Sequence, residues 1–223
     1  MSLIPLLLLA DSDLPAGTHA HSGGLEAAVA AGRVCDAETL RVFLLGRLGS
    51  AGLTAAAFAA AAASQVSADR LALLDAEYEA RTPSPAQREV SRTLGSQLLR
   101  VARAGWPGPA IDVAMAVHPQ GPHQPIAFGV AAAAAGVDEY ETAAAAALAS
   151  VTGPANAANR LLTLAPDAVI AALAGLSAQV HLVATAAARV ALGPAEDLPS
   201  VCAPVLDISA EQHATWEVRR FAS

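Results

Sequence analysis

The stretch SPAQREVSRTLGSQLLRVA, residues 84–102, carries the start signals and the periodicity of a long α-helix. Ser84 is a typical N-cap residue, Pro85 suits the first helical position, and Gln87 stands where a capping box places an amide. Apolar residues then recur at helical spacing, at Leu94, Leu98 and Val101. The segment is therefore predicted to be a helix whose apolar stripe faces a core.

Similar signals occur on both sides of this stretch. Before it, Asp36 and Glu38 begin a predicted helix. Two sets of apolar residues share helical faces there: Leu40, Phe43, Leu44 and Leu48, and then Leu71, Leu74 and Tyr78. After it, Asp138 with Glu141 repeats the cap signal, and Pro166 begins a long run. That run carries Asp167, Ile170, Leu173, Ser177, Val180 and His181.

Strands of alternating Val, Ile and Thr are absent from the sequence, so the predicted fold is all-α. We expect a single-domain bundle over residues 1–223, with about eight to ten mostly short, Ala-rich helices. The breaks at Trp106–Pro109 and His118–Pro125 are interpreted as loops within that domain. Alanine favours helix but buries little area, so the domain is expected to gain stability by burying a face against a partner.

Composition limits the classes of function. The net charge of −7 leaves no basic excess to neutralise phosphates, which argues against a nucleic-acid partner. Cys35 and Cys202 form no CxxC pair, which favours a reducing cytoplasm over a disulfide framework or a zinc site. The mean hydropathy is +0.44. The uncharged windows at Leu48–Ala68 and Ala168–Ala188 are built mainly from small residues, so we predict no membrane span. The N-terminus lacks the basic region of a secretory signal.

The stretch LPAGTHAHSGGLE, residues 14–26, is open to three interpretations. His19 and His21 are two residues apart, so in an extended segment both would face one side and could share a metal ion. Ser22 lies in a sequence close to the G-x-S-x-G nucleophile elbow, which requires a preceding strand that the sequence does not offer. The third interpretation is a shaped loop that starts a helix.

The loop interpretation accounts for the most residues. Pro15 and Gly17 shape a turn, and Ser22 is a natural N-cap for the segment that follows. Glu26 then lies in the first helical turn, where its charge suits the helix dipole. Gly32 is placed to end the helix as its C′ residue. The residues alone leave the purpose of this loop open.

Residues 6–34, LLLLADSDLPAGTHAHSGGLEAAVAAGRV, resemble the opening of the urease accessory protein UreF family. The matching positions are Pro15, Gly17, His21, Ser22, Gly24, Leu25 and Glu26. His19 stands where the family usually has Phe or Tyr, which weakens the case for a pair of histidine ligands.

Three further segments are similar to the family. SRTLGSQLLRVA matches a family helix through Ser91, Arg92, Gly95, Leu98, Leu99 and Arg100. HQPIAFGV matches through His123, Pro125, Phe128 and Gly129. The C-terminus matches a typical ending through His213, Arg219, Phe221 and Ser223, with Arg220 in place of Leu. After Leu164 the chain lacks the Gly-Gln of many members, so no role of that glutamine is carried over.

The resemblance implies an all-α protein that dimerises and assists urease maturation without catalysis. It implies a second accessory protein (UreD, also called UreH), the GTPase UreG and apo-urease as partners, and a possible regulatory effect on the GTPase. Nickel would be handled by the whole complex, so we predict no cofactor and no metal ligand for this chain. The alternative is a His-dependent helical metalloenzyme or a direct metal-binding protein.

The candidate site residues follow from these matches. Partner binding is predicted for His21, Ser22, Glu26, Arg92, Arg100, Arg219, Arg220 and Phe221. A structural role in the loop is predicted for Pro15, Gly17 and Gly24. No catalytic residue is predicted.

Two of these predictions are more specific. Arg88, Arg92 and Arg103 fall on one side of the predicted helix, either as a face for a partner or as a solvated face. The ending VRRFAS either docks on the second accessory protein or folds Phe221 back onto the helical core.

Overall fold

The computed structural model describes residues 3–11, 14, 21–201, 203–218 and 220–221. Within these ranges the chain forms twelve α-helices and no β-strand, which confirms the all-α prediction. The helices are α1 (Leu3–Ala10), α2 (Leu25–Ala30), α3 (Ala37–Arg47), α4 (Leu53–Ser64), α5 (Ala68–Ala80), α6 (Pro85–Gly105), α7 (Pro109–Met115), α8 (Gln124–Ala134), α9 (Glu139–Leu161), α10 (Pro166–Ala174), α11 (Ser177–Val190) and α12 (Pro204–Ala214). A π-helical turn, Leu48–Gly52, joins α3 to α4, and a 3-10 turn covers Ala195–Asp197.

Helix α4 is the centre of the bundle and packs against α8, α9 and α11. All residues from Ala56 to Ala62 are fully buried, with Phe58 as the only large side chain among them. A Cβ added to Gly129 of α8 would lie 2.1 Å from the carbonyl oxygen of Ala59, so the two helices meet backbone to backbone. Small residues therefore stabilise this core through close approach of helices.

The predicted caps are present. The Ser84 hydroxyl accepts the N–H of Gln87 at 3.1 Å, and the Asp138 carboxylate accepts the N–H of Glu141 at 2.7 Å. Gln87 does not complete a capping box at Ser84. Instead, Glu211 of α12 accepts hydrogen bonds from the Ser84 hydroxyl and from the N–H of Ala86, which ties α12 to the start of α6.

Two details of the helix predictions are corrected. On α6 the buried side runs through Gly95, Leu98 and Leu99, whereas Leu94 and Val101 are only half-buried. The segment before α8 packs closely on Gly95, so the side of α6 that faces the core is the side that carries Gly95. The run that begins at Pro166 is not one helix, because a turn at Gly175–Leu176 separates α10 from α11 and bends them by 43°.

The two uncharged windows lie in long or paired helices. Ala37–Ser64 is continuous and is long and apolar enough to cross a membrane by length and composition, and α10 with α11 reaches that criterion only across its bend. In the first case the apolar residues of α4 are already covered by α8, α9 and α11. Burial inside the bundle accounts for the hydropathy of α4, although only 44% of the apolar window within Ala37–Ser64 is buried.

Candidate functional site

The start of α2 and the C-terminal segment meet at the carboxylate of Glu26, in the first turn of α2. Oε2 of Glu26 lies 2.9 Å from Nε2 of His213 on α12. Oε1 accepts the backbone N–H of Arg220 at 2.9 Å, and Oε2 also accepts that of Phe221 at 3.0 Å. A carboxylate can only accept here, so Nε2 of His213 carries a proton. We call Glu26, His213 and the N–H groups of Arg220 and Phe221 the tail clamp.

Local backbone geometry places Glu26 in the clamp. The helix begins at Leu25, after Gly24 in a left-handed conformation with φ of +88°, which suits glycine. The Ser22 hydroxyl accepts the N–H of Glu26 at 3.3 Å. Ser22 therefore satisfies a first-turn N–H as predicted, but it lies two residues before the N-cap, which is Gly24. Pro15, Gly17 and His19 lie outside the described residues.

Burial and hydrogen bonding have opposite effects on the pKa of Glu26. Burial alone would raise the pKa of this carboxyl, but the N–H of Arg220, the ring of His213 and the N–H of Phe221 lower it more. The pKa therefore lies below its ordinary value, and the ionised carboxylate favours the clamped tail.

The tail packs on the protein's own core. Phe221 is 6% exposed and belongs to the main apolar cluster. The guanidinium of Arg160 lies 5.7 Å from the centre of its ring, and the His213 ring lies 4.7 Å from that of Trp216. In this structure Phe221 thus follows the alternative to docking, because its ring is already buried. Arg220 keeps an exposed side chain, whereas Arg219 lies outside the described residues.

A second cluster of charged residues joins α5, α6 and the segment before α8. Nη1 of Arg92 donates to Oδ2 of Asp75 and to the carbonyl of Gly121, both at 3.0 Å. Nη2 of Arg92 pairs with Glu79, and the backbone N–H of His123 donates to Oδ1 of Asp75 at 2.8 Å. We call these residues the Arg92 cluster.

The position of Arg92 corrects the predicted arginine face. Its side chain is 7% exposed, because two acids of α5 draw it inward, so it offers no free charge to a partner. Arg88 binds the carbonyl of Thr82 at 2.8 Å. Arg100 is exposed, and Arg103 is exposed with an ion pair to Asp112 at 3.3 Å. Only the later part of that face presents arginines to solvent.

The Arg92 cluster also contains the geometry of a possible metal site. Ligand atoms of Asp75, Glu79 and His123 all lie within 4.8 Å of one another. The His123 ring is fully buried, and its Nε2 is 3.5 Å from Glu79. Burial lowers the pKa of His123, and the positive charge of Arg92 lowers it further. Asp75 and Glu79 raise it, but the pKa remains below its ordinary value. Since Arg92 already pairs with both carboxylates, the cluster is best described as a buried ion-pair network.

The four similar segments are thus joined in pairs. The N-terminal segment holds the C-terminal one through Glu26, and the α6 segment holds the start of the HQPIAFGV segment, because Oγ of Ser91 accepts the N–H of Gln124 at 3.1 Å and Gly95 packs on Pro122 and His123. A Cβ added to Gly95 would lie 2.0 Å from the carbonyl oxygen of Pro122, so this position requires glycine. Sequence reasoning missed Asp75 and Glu79, whose only signal is two acids four residues apart on a helix.

Comparisons with known proteins identify the family of the chain. The family model described as UreF matches residues 34–177. A protein of Mycobacterium sp. (strain JLS) named "Urease accessory protein UreF" is 41% identical over 225 residues, covering 100% of this chain and 99% of the relative. Its namesake from Mycolicibacterium vanbaalenii is 41% identical over 223 residues, with the same coverage. The one from Mycobacterium tuberculosis (strain H37Rv) is 39% identical over 214 residues, with 95% and 94% coverage. The chain belongs to the UreF family of urease accessory proteins, and is therefore an accessory protein of urease maturation and not an enzyme.

Proposed function

We propose that this chain is the scaffold on which a second accessory protein, UreD/UreH, and the GTPase UreG assemble to deliver nickel to apo-urease. The observation that carries the proposal is the tail clamp. It fixes the C-terminal segment, with exposed Arg220, beside the N-terminal segment that contains His21 and Ser22. Of these residues, exposed Arg220 and half-buried His21 are the ones that a partner can reach, whereas Ser22 is buried.

The rest of the surface supports an assembly role. Two large apolar side chains are exposed on α10 and α11, Ile170 at 62% and Leu182 at 70%. Exposed apolar residues of this kind are what a helical protein buries against a partner. We propose that the chain acts as one domain, forms a homodimer, works in the cytoplasm and binds neither nucleic acid nor membrane. A regulatory effect on the partner GTPase belongs to the same proposal.

A direct metal-binding role is the second candidate, favoured by Asp75, Glu79 and His123. Two of its three ligands already neutralise Arg92, so a metal ion would have to displace a buried guanidinium from both carboxylates. Leaving that guanidinium buried and unpaired would be costly. The scaffold role does not carry this cost.

Copurification tests the proposal. We would purify the tagged chain from its native cell as wild type and as Glu26→Gln, with Glu38→Gln as control. Glu38 is on α3, and its side chain is 67% exposed. Both accessory partners should copurify with the wild type and the control, and less with Glu26→Gln. Equal recovery with all three chains would separate the clamp from assembly, and recovery of neither partner with the wild type would overturn the scaffold role.

A further inference from the structure

A cavity of about 560 Å³ lies between α6 and α9, with α8, the end of α1 and the C-terminal tail as further walls. Its size falls within the range of ligand sites, ~300–1,000 Å³. Its polar lining includes Arg47, Ser91, Gln124, Asn156 and Arg160. The tail clamp and the Arg92 cluster use none of these side chains for hydrogen bonding.

Arg47 is held in this cavity by backbone carbonyls. Its Nε donates to the carbonyl of Ser150 at 2.9 Å, and its Nη1 to that of Gly23 at 2.8 Å. The Ser150 carbonyl is available because Pro154, four residues later in α9, has no N–H to donate to it. The guanidinium is therefore fixed in direction by two neutral groups.

No carboxylate of the described residues forms an ion pair with Arg47. Burial lowers the pKa of its guanidinium, although arginine stays charged at neutral pH. Arg160 lies at the same cavity, and Nη1 of Arg220 reaches the carbonyl of Arg160 at 3.3 Å. Asp11 is the only acid among the described lining residues. In a protein of net charge −7 this is a local positive site.

We propose that this cavity binds the carboxylate of an acidic peptide segment supplied by a partner protein, with Arg47 as the central contact. A fixed guanidinium that pairs with no carboxylate of the described residues is suited to an incoming carboxylate, which can accept two of its N–H groups. The amides of Asn156 and Gln124 can donate to the peptide, and the volume exceeds what a single small anion fills. The source of the peptide rests on the proposed scaffold role, whereas the affinity for a carboxylate concerns the chemistry of the cavity alone.

Titration of the full chain tests the proposal, with N-acetyl hexaglutamate amide, the matching hexaglutamine and inorganic phosphate as probes. We expect saturable calorimetric binding of hexaglutamate, and an affinity at least about tenfold lower for hexaglutamine. Asn156→Asp adds a negative charge to the wall while leaving the carbonyl contacts of Arg47 in place. It should weaken hexaglutamate binding about fivefold or more, as should Arg47→Gln.

Arg189→Gln is the matched control, because Arg189 is exposed on α11 and does not line the cavity. It should leave hexaglutamate binding unchanged. Equal binding of the two peptides, binding unaffected by Asn156→Asp, or binding of phosphate without hexaglutamate would each overturn the proposal. Because the probes are peptides, such a failure would leave the copurification of accessory partners untouched.

Discussion

The carboxylate of Glu26 lies 2.9 Å from Nε2 of His213, although 187 positions separate the two residues in the sequence. This contact, with the N–H groups of Arg220 and Phe221, converts a C-terminal segment into part of the folded core. Chain termini are usually frayed unless something holds them. The clamp therefore fixes the position of Arg220 and Phe221 on the protein.

Replacement of Glu26 by Gln should loosen the tail. An amide oxygen can still accept one N–H, but the charge that strengthens three hydrogen bonds is lost, so we expect a cost of about 1–3 kcal/mol in the free energy of unfolding. Urea denaturation measures that cost, and hydrogen exchange at Arg220 and Phe221 reports the tail directly. Glu38→Gln should change neither. Unchanged exchange at the tail in Glu26→Gln would show that the clamp does not hold it.

The stability contributed by Glu26 should depend on pH. Its folded pKa is lowered, so this contribution is present above the ordinary value of 4.5 and is lost as the pH falls through the lower folded pKa. Denaturation midpoints of the wild type and Glu26→Gln should therefore converge in that acidic range. A difference between the two proteins that stays constant down to pH ~3 would contradict the shift.

His123 should produce a separate loss of stability at milder pH. Its folded pKa is below the ordinary 6.5, so the unfolded chain binds the proton more readily and stability falls as the pH drops below 6.5. The groups that face the ring are Asp75, Glu79, Arg92 and Tyr78. His123→Gln should flatten the stability profile between pH ~7 and ~5. An equally steep profile in the variant would assign the loss to another group.

Removal of the Arg92 guanidinium should be far more damaging than removal of an exposed arginine on the same helix. Arg92→Met leaves Asp75 and Glu79 without their cation and should cost about 3–5 kcal/mol. Arg100→Met should stay within about 0.5 kcal/mol, because Arg100 is exposed. Thermal melting of both variants makes the comparison. Equal melting temperatures of the two variants would mean that Arg92, like Arg100, makes no ion pair that matters for stability.

Gly95 and Gly105 form a matched pair on α6. Alanine at Gly95 would place Cβ against the carbonyl of Pro122, whereas alanine at Gly105 would meet nothing within 4 Å. Gly95→Ala should therefore lower stability by about 1–3 kcal/mol. Gly105→Ala should be neutral or slightly stabilising, since alanine favours helix. A neutral Gly95→Ala would mean that α6 and the segment before α8 can separate at little cost.

Local signals predicted the helices well, because caps such as Ser84 and Asp138 act within three residues of themselves. The contacts that build the site could not be read in this way. Nothing in the helical period relates Glu26 to His213. Helical spacing puts Arg92 on the side away from the predicted apolar stripe, and its burial depends on two acids of another helix, Asp75 and Glu79. Family resemblance marked Arg92 and Glu26 as important, but it did not say that their partners lie within the chain.

The nickel content of urease shows whether this chain serves the delivery of nickel. Urease would be purified from cells that lack this chain and from the same cells complemented with the wild-type chain, and its nickel would be measured per active site. Without the chain, urease subunits should be present but largely free of nickel, and complementation should restore their nickel. Urease fully loaded with nickel in the absence of the chain would contradict a role in that delivery.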